Sequence, residues 1–178
     1  GTVRTGRLDT RSTEIGPPVR AGREGKVERW KGKGIMQSYL LTFDHGIVGF
    51  FKVAGPDTSG PIRNEMAAYQ VDNLLRIHLT PMTLARSLIL PDGKTVEGVI
   101  KYFVESSRTA EDLGLKSVMK PDLLLFFDTV IGNAGRHLGN WMIRSDTKEL
   151  FAIDHSRTFR FDLDWTWYHR MRSISNPV

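Results

Sequence analysis

Two stretches of the chain hold residues whose types and spacing suit phosphate and metal chemistry. "GNAGRHLGN", residues 132–140, places Arg136, His137 and Asn140 in a polar loop directly after the apolar run "LLLFFDTVI". "FAIDHSRTF", residues 151–159, puts Asp154 at the end of a short apolar strand. An amide oxygen and a carboxylate that converge from neighbouring strand ends are hard ligands. They fit Mg²⁺, which takes one or two protein oxygens and leaves its other positions to phosphate and water.

Three earlier pieces could complete such a site. In "KGKGIMQSY" (31–39), Gly32 and Gly34 would let backbone amides approach a phosphate closely. An ordinary loop would read the same way. Lys52 is a charge inside the apolar strand "GFFKVA". On the solvent face it needs nothing, but if buried it needs an acid or a phosphate. Glu65 could be that acid, or a Glu near a helix N-terminus that favours the dipole. Taken together, Lys52, Glu65, Asn140 and Asp154 form the set used in phosphoryl transfer. The Lys holds phosphates, the Glu positions the Lys, and Asn and Asp hold the metal.

The elements that must position these residues can be read in outline. "MQSYLLTF" and "IVGFFKVA" flank the turn "DHG" and predict a β-hairpin. After the breaker "GPDTSGP", the segment "IRNEMAAYQVDNLLRI" predicts a helix with Ala67, Val71, Leu74 and Leu75 on its apolar face. "RSLILPDGKTVEGVIKYFVES" predicts a hairpin turning at Pro91-Asp92-Gly93. "PDLLLFFDTVI" predicts a buried helix with Pro121 in its first turn. "NWMIRSDTKELFAIDHS" predicts a last hairpin. Strand pairs and helices in this order indicate α+β, not an alternating parallel sheet. "FDLDWTWYHRMRSI" would close the core as a final helix or strand.

The chain has 178 residues, a length expected of one domain. No apolar run approaches the roughly 18 residues of a membrane span. Cys is absent, which rules out disulfides and thiolate metal sites and is compatible with the cytoplasm or with export from a bacterium. No signal peptide is visible. The net charge of +5 belongs to residues 1–33, and the remainder balances to zero. A solvated basic terminus or an electrostatic contact with an anionic partner would each account for this. The arm has no interleaved aromatics and no nucleic-acid motif.

The order "FFKV … NEMAAYQVD … FFDTVIGNAGRHLGN … FAIDHSRTF" resembles the atypical protein-kinase-like fold. It is similar to bacterial kinase-like proteins related to the phosphatidylinositol 3/4-kinases, to HipA-type kinases and to the secretory-pathway kinases of the Golgi. The resemblance spans roughly residues 30–160. It implies a small two-lobed α+β fold with a reduced C-terminal lobe. The expected divisions are a basic irregular arm (1–25), an N-lobe of strands plus a helix (26–105) and a reduced C-lobe with a catalytic-type loop (106–178). It further implies ATP and Mg²⁺ as cofactors and a protein or small-molecule hydroxyl as acceptor, with Tyr102 to Glu105 as the hinge beside adenine. The family's catalytic Asp belongs directly before Arg136-His137, where this chain has Gly135. That Asp accepts a hydroxyl proton or orients the nucleophile, which glycine cannot do. Three readings of Gly135 stand: a natural pseudokinase serving as a nucleotide-responsive module, a replacement that silences an enzyme, or a site in which His137 or Asp128 takes over. AMP transfer on the same fold is a further alternative.

Overall fold

The computed structural model describes residues 16–19, 26–31, 36–43, 46–55, 59–115 and 121–159. Its elements are β1 (Gly16–Val19), β2 (Val27–Arg29), β3 (Ser38–Thr42), β4 (Val48–Val53), α1 (Ser59–Leu75), β5 (Thr83–Ile89), β6 (Thr95–Tyr102), β7 (Ser107–Thr109), α2 (Pro121–Val130), β8 (Trp141–Arg144) and β9 (Leu150–Ala152). A six-stranded sheet has the order β1-β5-β6-β4-β3-β2, and a three-stranded sheet has the order β7-β8-β9. All pairings are antiparallel except β1 with β5. The fold is the expected α+β one, and the three expected hairpins and two expected helices are present.

Strand alternation settles which residues face which way. In β4, Phe51 points to a core made with Tyr39, Leu41, Leu88 and Leu90. Lys52 therefore points to the opposite face. On β6, Val99 lies across from Lys52, and Lys101 lies across from Phe50. Cross-strand partners share a face, so Lys52 and Lys101 are diagonal neighbours on the side that meets α1. Gly98 makes this pairing possible, because a Cβ there would lie 2.0 Å from the Lys52 carbonyl oxygen.

The hairpin turn follows from its residues. Gly93 takes φ +83°, and the Asp92 carboxylate accepts from the Lys94 amide at 3.0 Å, a local bond that favours a turn. Helix α1 departs from expectation. Its buried stripe is Ile62, Glu65, Ala68 and Asp72, whereas Leu74 is 82% exposed. Two acids thus occupy the buried face. Asp72 is satisfied there by the amides of Leu79 and Thr80 and by the Thr80 hydroxyl, at 3.1, 2.9 and 2.7 Å. Helix α2 is buried on one side only. Its Leu124 and Phe127, with Ile131 just past its end, enter the core, while Phe126 and Val130 are exposed. That core also takes Ala68 from α1 and Trp141 and Ala152 from the second sheet, so one apolar cluster joins the two sheets' helices.

Within the expected irregular arm, residues 16–19 form β1. Strands β2 and β7 were also not anticipated; each is three residues long, too short for periodicity to show. The aromatic segment 161–174 lies outside the described residues.

Candidate active site

Glu65 is the centre of the site. It sits well inside α1, in the second turn, so the dipole reading does not apply to it. It is almost fully buried, and a buried carboxylate must be paired. Lys52 donates to Oε1 at 2.6 Å. Lys101 donates to Oε2, and the backbone N–H of His155 donates to the same oxygen at 3.0 Å. Burial alone would raise the Glu65 carboxyl, but Lys101, the His155 bond and Lys52 together hold it well below its ordinary range.

Lys52 also reaches Asp154 Oδ1 at 3.3 Å. Burial pushes the Lys52 ammonium down, yet Glu65 and then Asp154 outweigh that and keep it above the ordinary lysine range. The Asp154 carboxyl is lowered: burial opposes ionisation, while Lys52 and a Ser156 hydrogen bond favour it. Asp154 is held at φ +56°, a left-handed conformation that Asp tolerates better than most residues and that clusters at functional sites. Its side chain is 44% exposed, so part of the carboxylate faces solvent.

The loop before β8 is built around Arg136. Its Nε and Nη2 form a two-point pair with Asp128 at 2.8 and 3.0 Å. Its Nη1 donates to the carbonyls of Asn140 and Ile153, both at 2.8 Å. One buried side chain thus fixes the backbone beside both proposed metal ligands. Asn133 closes the network by donating to Asp128 at 2.8 Å. Both Asp128 oxygens are spent in this way, so Asp128 cannot replace a missing catalytic acid. The Asn140 side-chain N–H donates to the Gly135 carbonyl at 3.0 Å, which leaves its side-chain oxygen for a ligand. Its own carbonyl accepts from Ile153, the residue before Asp154, at 3.0 Å.

His137 is exposed, and its Nδ1 accepts from the Gly139 N–H at 3.1 Å. Its proton therefore sits on Nε2, which can donate to a phosphoryl oxygen but cannot take a proton in that tautomer. Gly135 is not in the left-handed region, and a Cβ there would meet Arg157 carbons at 3.2 and 3.3 Å. Tyr102 and Glu105 lie where the chain leaves β6 for β7, with Glu105 exposed. The Phe103 N–H donates to the Val48 carbonyl at 2.9 Å, which ties this crossing to β4. Gly32 and Gly34 lie outside the described residues.

The structure therefore brings Glu65 and Asp154 each into contact with Lys52 and Asn140 beside Asp154 through the backbone. Sequence reasoning missed Lys101, His155 and the structural role of Arg136. Lys101 could have been found from its spacing of two from Val99, but only with the strand register in hand.

His155 is buried between the two networks. Its Nε2 lies 3.0 Å from Arg136 Nη2, and so accepts. Burial, reinforced by Arg136 and Lys101 and opposed by Glu65, pushes its pKa from 6.5 to about 4. A depressed histidine contributes stability above its unfolded pKa of 6.5, lost as pH falls toward about 4. In Mg²⁺-free buffer the chain should lose about 2 kcal/mol between pH 7.5 and pH 5, at ~1.4 kcal/mol per pH unit below the unfolded pKa. Urea unfolding measures it, and His155→Gln should flatten that slope. An equal slope in the variant would assign the effect to other groups.

The sequence profile described as Phosphatidylinositol 3- and 4-kinase matches residues 63–169, more than half of the chain. The match takes in Glu65, Lys101, Gly135, Asn140 and Asp154. Lys52 falls just before it, so its place rests on the geometry above. No curated protein matches the chain at a significant level. Among solved structures, the choline kinase LicA from Streptococcus pneumoniae aligns at a TM-score of 0.42 and 13% identity, over 85% of this chain and 74% of that one. That distance gives it no weight in reading the site.

Proposed function

Because the chain belongs to the phosphatidylinositol 3- and 4-kinase family, we propose that it binds ATP with Mg²⁺ between its two sheets and derives from phosphotransferases acting on a hydroxyl. The observation that carries this reading is the ion-pair chain Glu65–Lys52–Asp154, which joins α1, β4 and the segment after β9. Lys52 stays protonated and offers its ammonium to the phosphates. Glu65 holds that ammonium in place. The Asn140 side-chain oxygen and the part-exposed carboxylate of Asp154 are hard donors and fit Mg²⁺. Bound there, Mg²⁺ supplies charge neutralisation at the phosphates. Residues 102–105 would take the adenine, and the Nε2–H of His137 would donate to a phosphoryl oxygen. Without a carboxylate at position 135, a hydroxyl nucleophile finds no base. Nucleotide binding with slow or absent transfer follows.

A thermal-shift titration tests this. At about 100 times Kd, ATP with Mg²⁺ should add ~2.7 kcal/mol, or roughly 5–10 °C for a domain of this size. Asp154→Ala should remove the Mg²⁺-dependent part. Unchanged Mg²⁺ dependence in that variant would place the metal elsewhere. Label on the γ- or the α-phosphate then separates phosphoryl from AMP transfer.

A further inference from the structure

We propose that Lys101 is a positioning residue that keeps Glu65 paired while Lys52 is lent to a nucleotide phosphate. The inference rests on the nucleotide site proposed above. Glu65 divides its two oxygens. Oε1 takes Lys52 at 2.6 Å, and Oε2 takes Lys101 and the His155 N–H, the latter at 3.0 Å. Among the described residues, Glu65 is the one hydrogen-bond partner shown for the Lys101 ammonium. The Lys101 side chain is 7% exposed, against 14% for Lys52 and 44% for Asp154. Lys101 is therefore the inner cation, shielded from a ligand, and Lys52 is the outer one.

The charges explain why a second lysine is there. Lys52, Lys101, Glu65 and Asp154 sum to zero. If Lys52 were the sole partner of Glu65, drawing it toward a phosphate would leave a buried carboxylate uncompensated, which is strongly unfavourable. Lys101 removes that cost. It sits on the same sheet face, one diagonal step from Lys52, and holds the other oxygen whichever way Lys52 leans. Without Lys101, Glu65 would claim Lys52 outright. The cluster would then carry a net negative charge facing an incoming polyanion. The buried lysine at 101 thus acts on the ligand only through Glu65 and Lys52.

The test uses Lys101→Met, which removes the charge, and Lys101→Arg, which keeps it. In the ligand-free protein, acylation of Lys52 by acetic anhydride at one fixed pH, read by peptide mass spectrometry, should slow in Lys101→Met and stay at the parent rate in Lys101→Arg. In the Glu65→Gln background, Lys101→Met should change that rate less, because only the direct repulsion between the two lysines is left. ATP–Mg²⁺ affinity by calorimetry should fall on the order of tenfold in Lys101→Met, because an unshared Glu65 then holds Lys52 back from the phosphates. It should stay within about threefold in Lys101→Arg. A folded Lys101→Met with unchanged Lys52 acylation would overturn the proposal, as would an equal effect in the Glu65→Gln background. If Lys101→Met does not fold, Lys101→Arg decides, and a loss of affinity well beyond threefold counts against a charge role. Should the parent bind no ATP, the nucleotide reading fails while the acylation comparison still judges Lys101.

Discussion

Gly135→Asp should raise ATP hydrolysis or autophosphorylation by roughly 10²–10⁴-fold, the usual contribution of a positioned acid–base group. Nucleotide affinity should change little, because in the proposed site positioning and charge neutralisation would come from Lys52, Asn140 and Asp154. The structure removes the main obstacle to this substitution. Gly135 does not need a left-handed backbone, so an L side chain enters without strain in φ. The nearest atoms to a new Cβ are Arg157 carbons at 3.2 and 3.3 Å and Asn133 Oδ1 at 3.5 Å. Arg157 is exposed, so its outer carbons can move aside, while its Cβ at 3.2 Å yields only by a small shift of the backbone that Ala134 bonds. The Gly135 N–H bond to Asn133 Oδ1, at 2.9 Å, does not involve the side chain and should persist. The parent and the variant should first be compared by melting temperature, then by single-turnover release of phosphate. A well-folded Gly135→Asp protein with the activity of the parent would refute the single-residue account. Strong activity in the parent, abolished by His137→Ala, would point to the histidine instead.

Arg136→Met should cost about 3–5 kcal/mol of folding stability, the range seen when one member of a buried ion pair is removed. Asp128 and the Arg136 head group are both fully buried. Without the guanidinium, the Asp128 charge keeps only the Asn133 amide, and the carbonyls of Asn140 and Ile153 lose a donor. A domain's whole stability is ~5–15 kcal/mol, so the variant should be marginal or unfolded at room temperature. Arg136→Lys should recover only part of the loss, since an ammonium cannot make the two-point contact. A second change that removes the stranded charge, Asp128→Leu with Arg136→Met, should restore much of the stability. Urea midpoints measure all three, and a loss below about 1 kcal/mol in Arg136→Met would show that the pair does not hold the loop.

Much of the scaffold is written in local pattern. The hairpins at 36–54 and 86–106 follow from apolar alternation around turn residues, and α2 follows from its apolar run after Pro121. These depend on neighbours in the chain, so the sequence alone determined them. It also determined the candidate ligands Asn140 and Asp154 and the gap at Gly135, through residue types in order. The apolar face of α1 was misread for a physical reason. Periodicity counts hydrophobic side chains, but α1 buries Glu65 and Asp72 because partners from distant segments satisfy them. Whether Lys52 was a solvent-face lysine or a buried, paired one could not be read from "GFFKVA", since either fits a strand. Strand register and the docking of α1 decided it by bringing Glu65 within 2.6 Å. The same register turned Lys101 from an unremarked strand residue into the second cation on Glu65. Arg136, read only as part of a motif, proved to be the clamp on the backbone at Asn140 and Ile153. Pairing of buried charges across 13, 36 and 102 residues of separation depends on long-range geometry, and local sequence pattern carries no record of it.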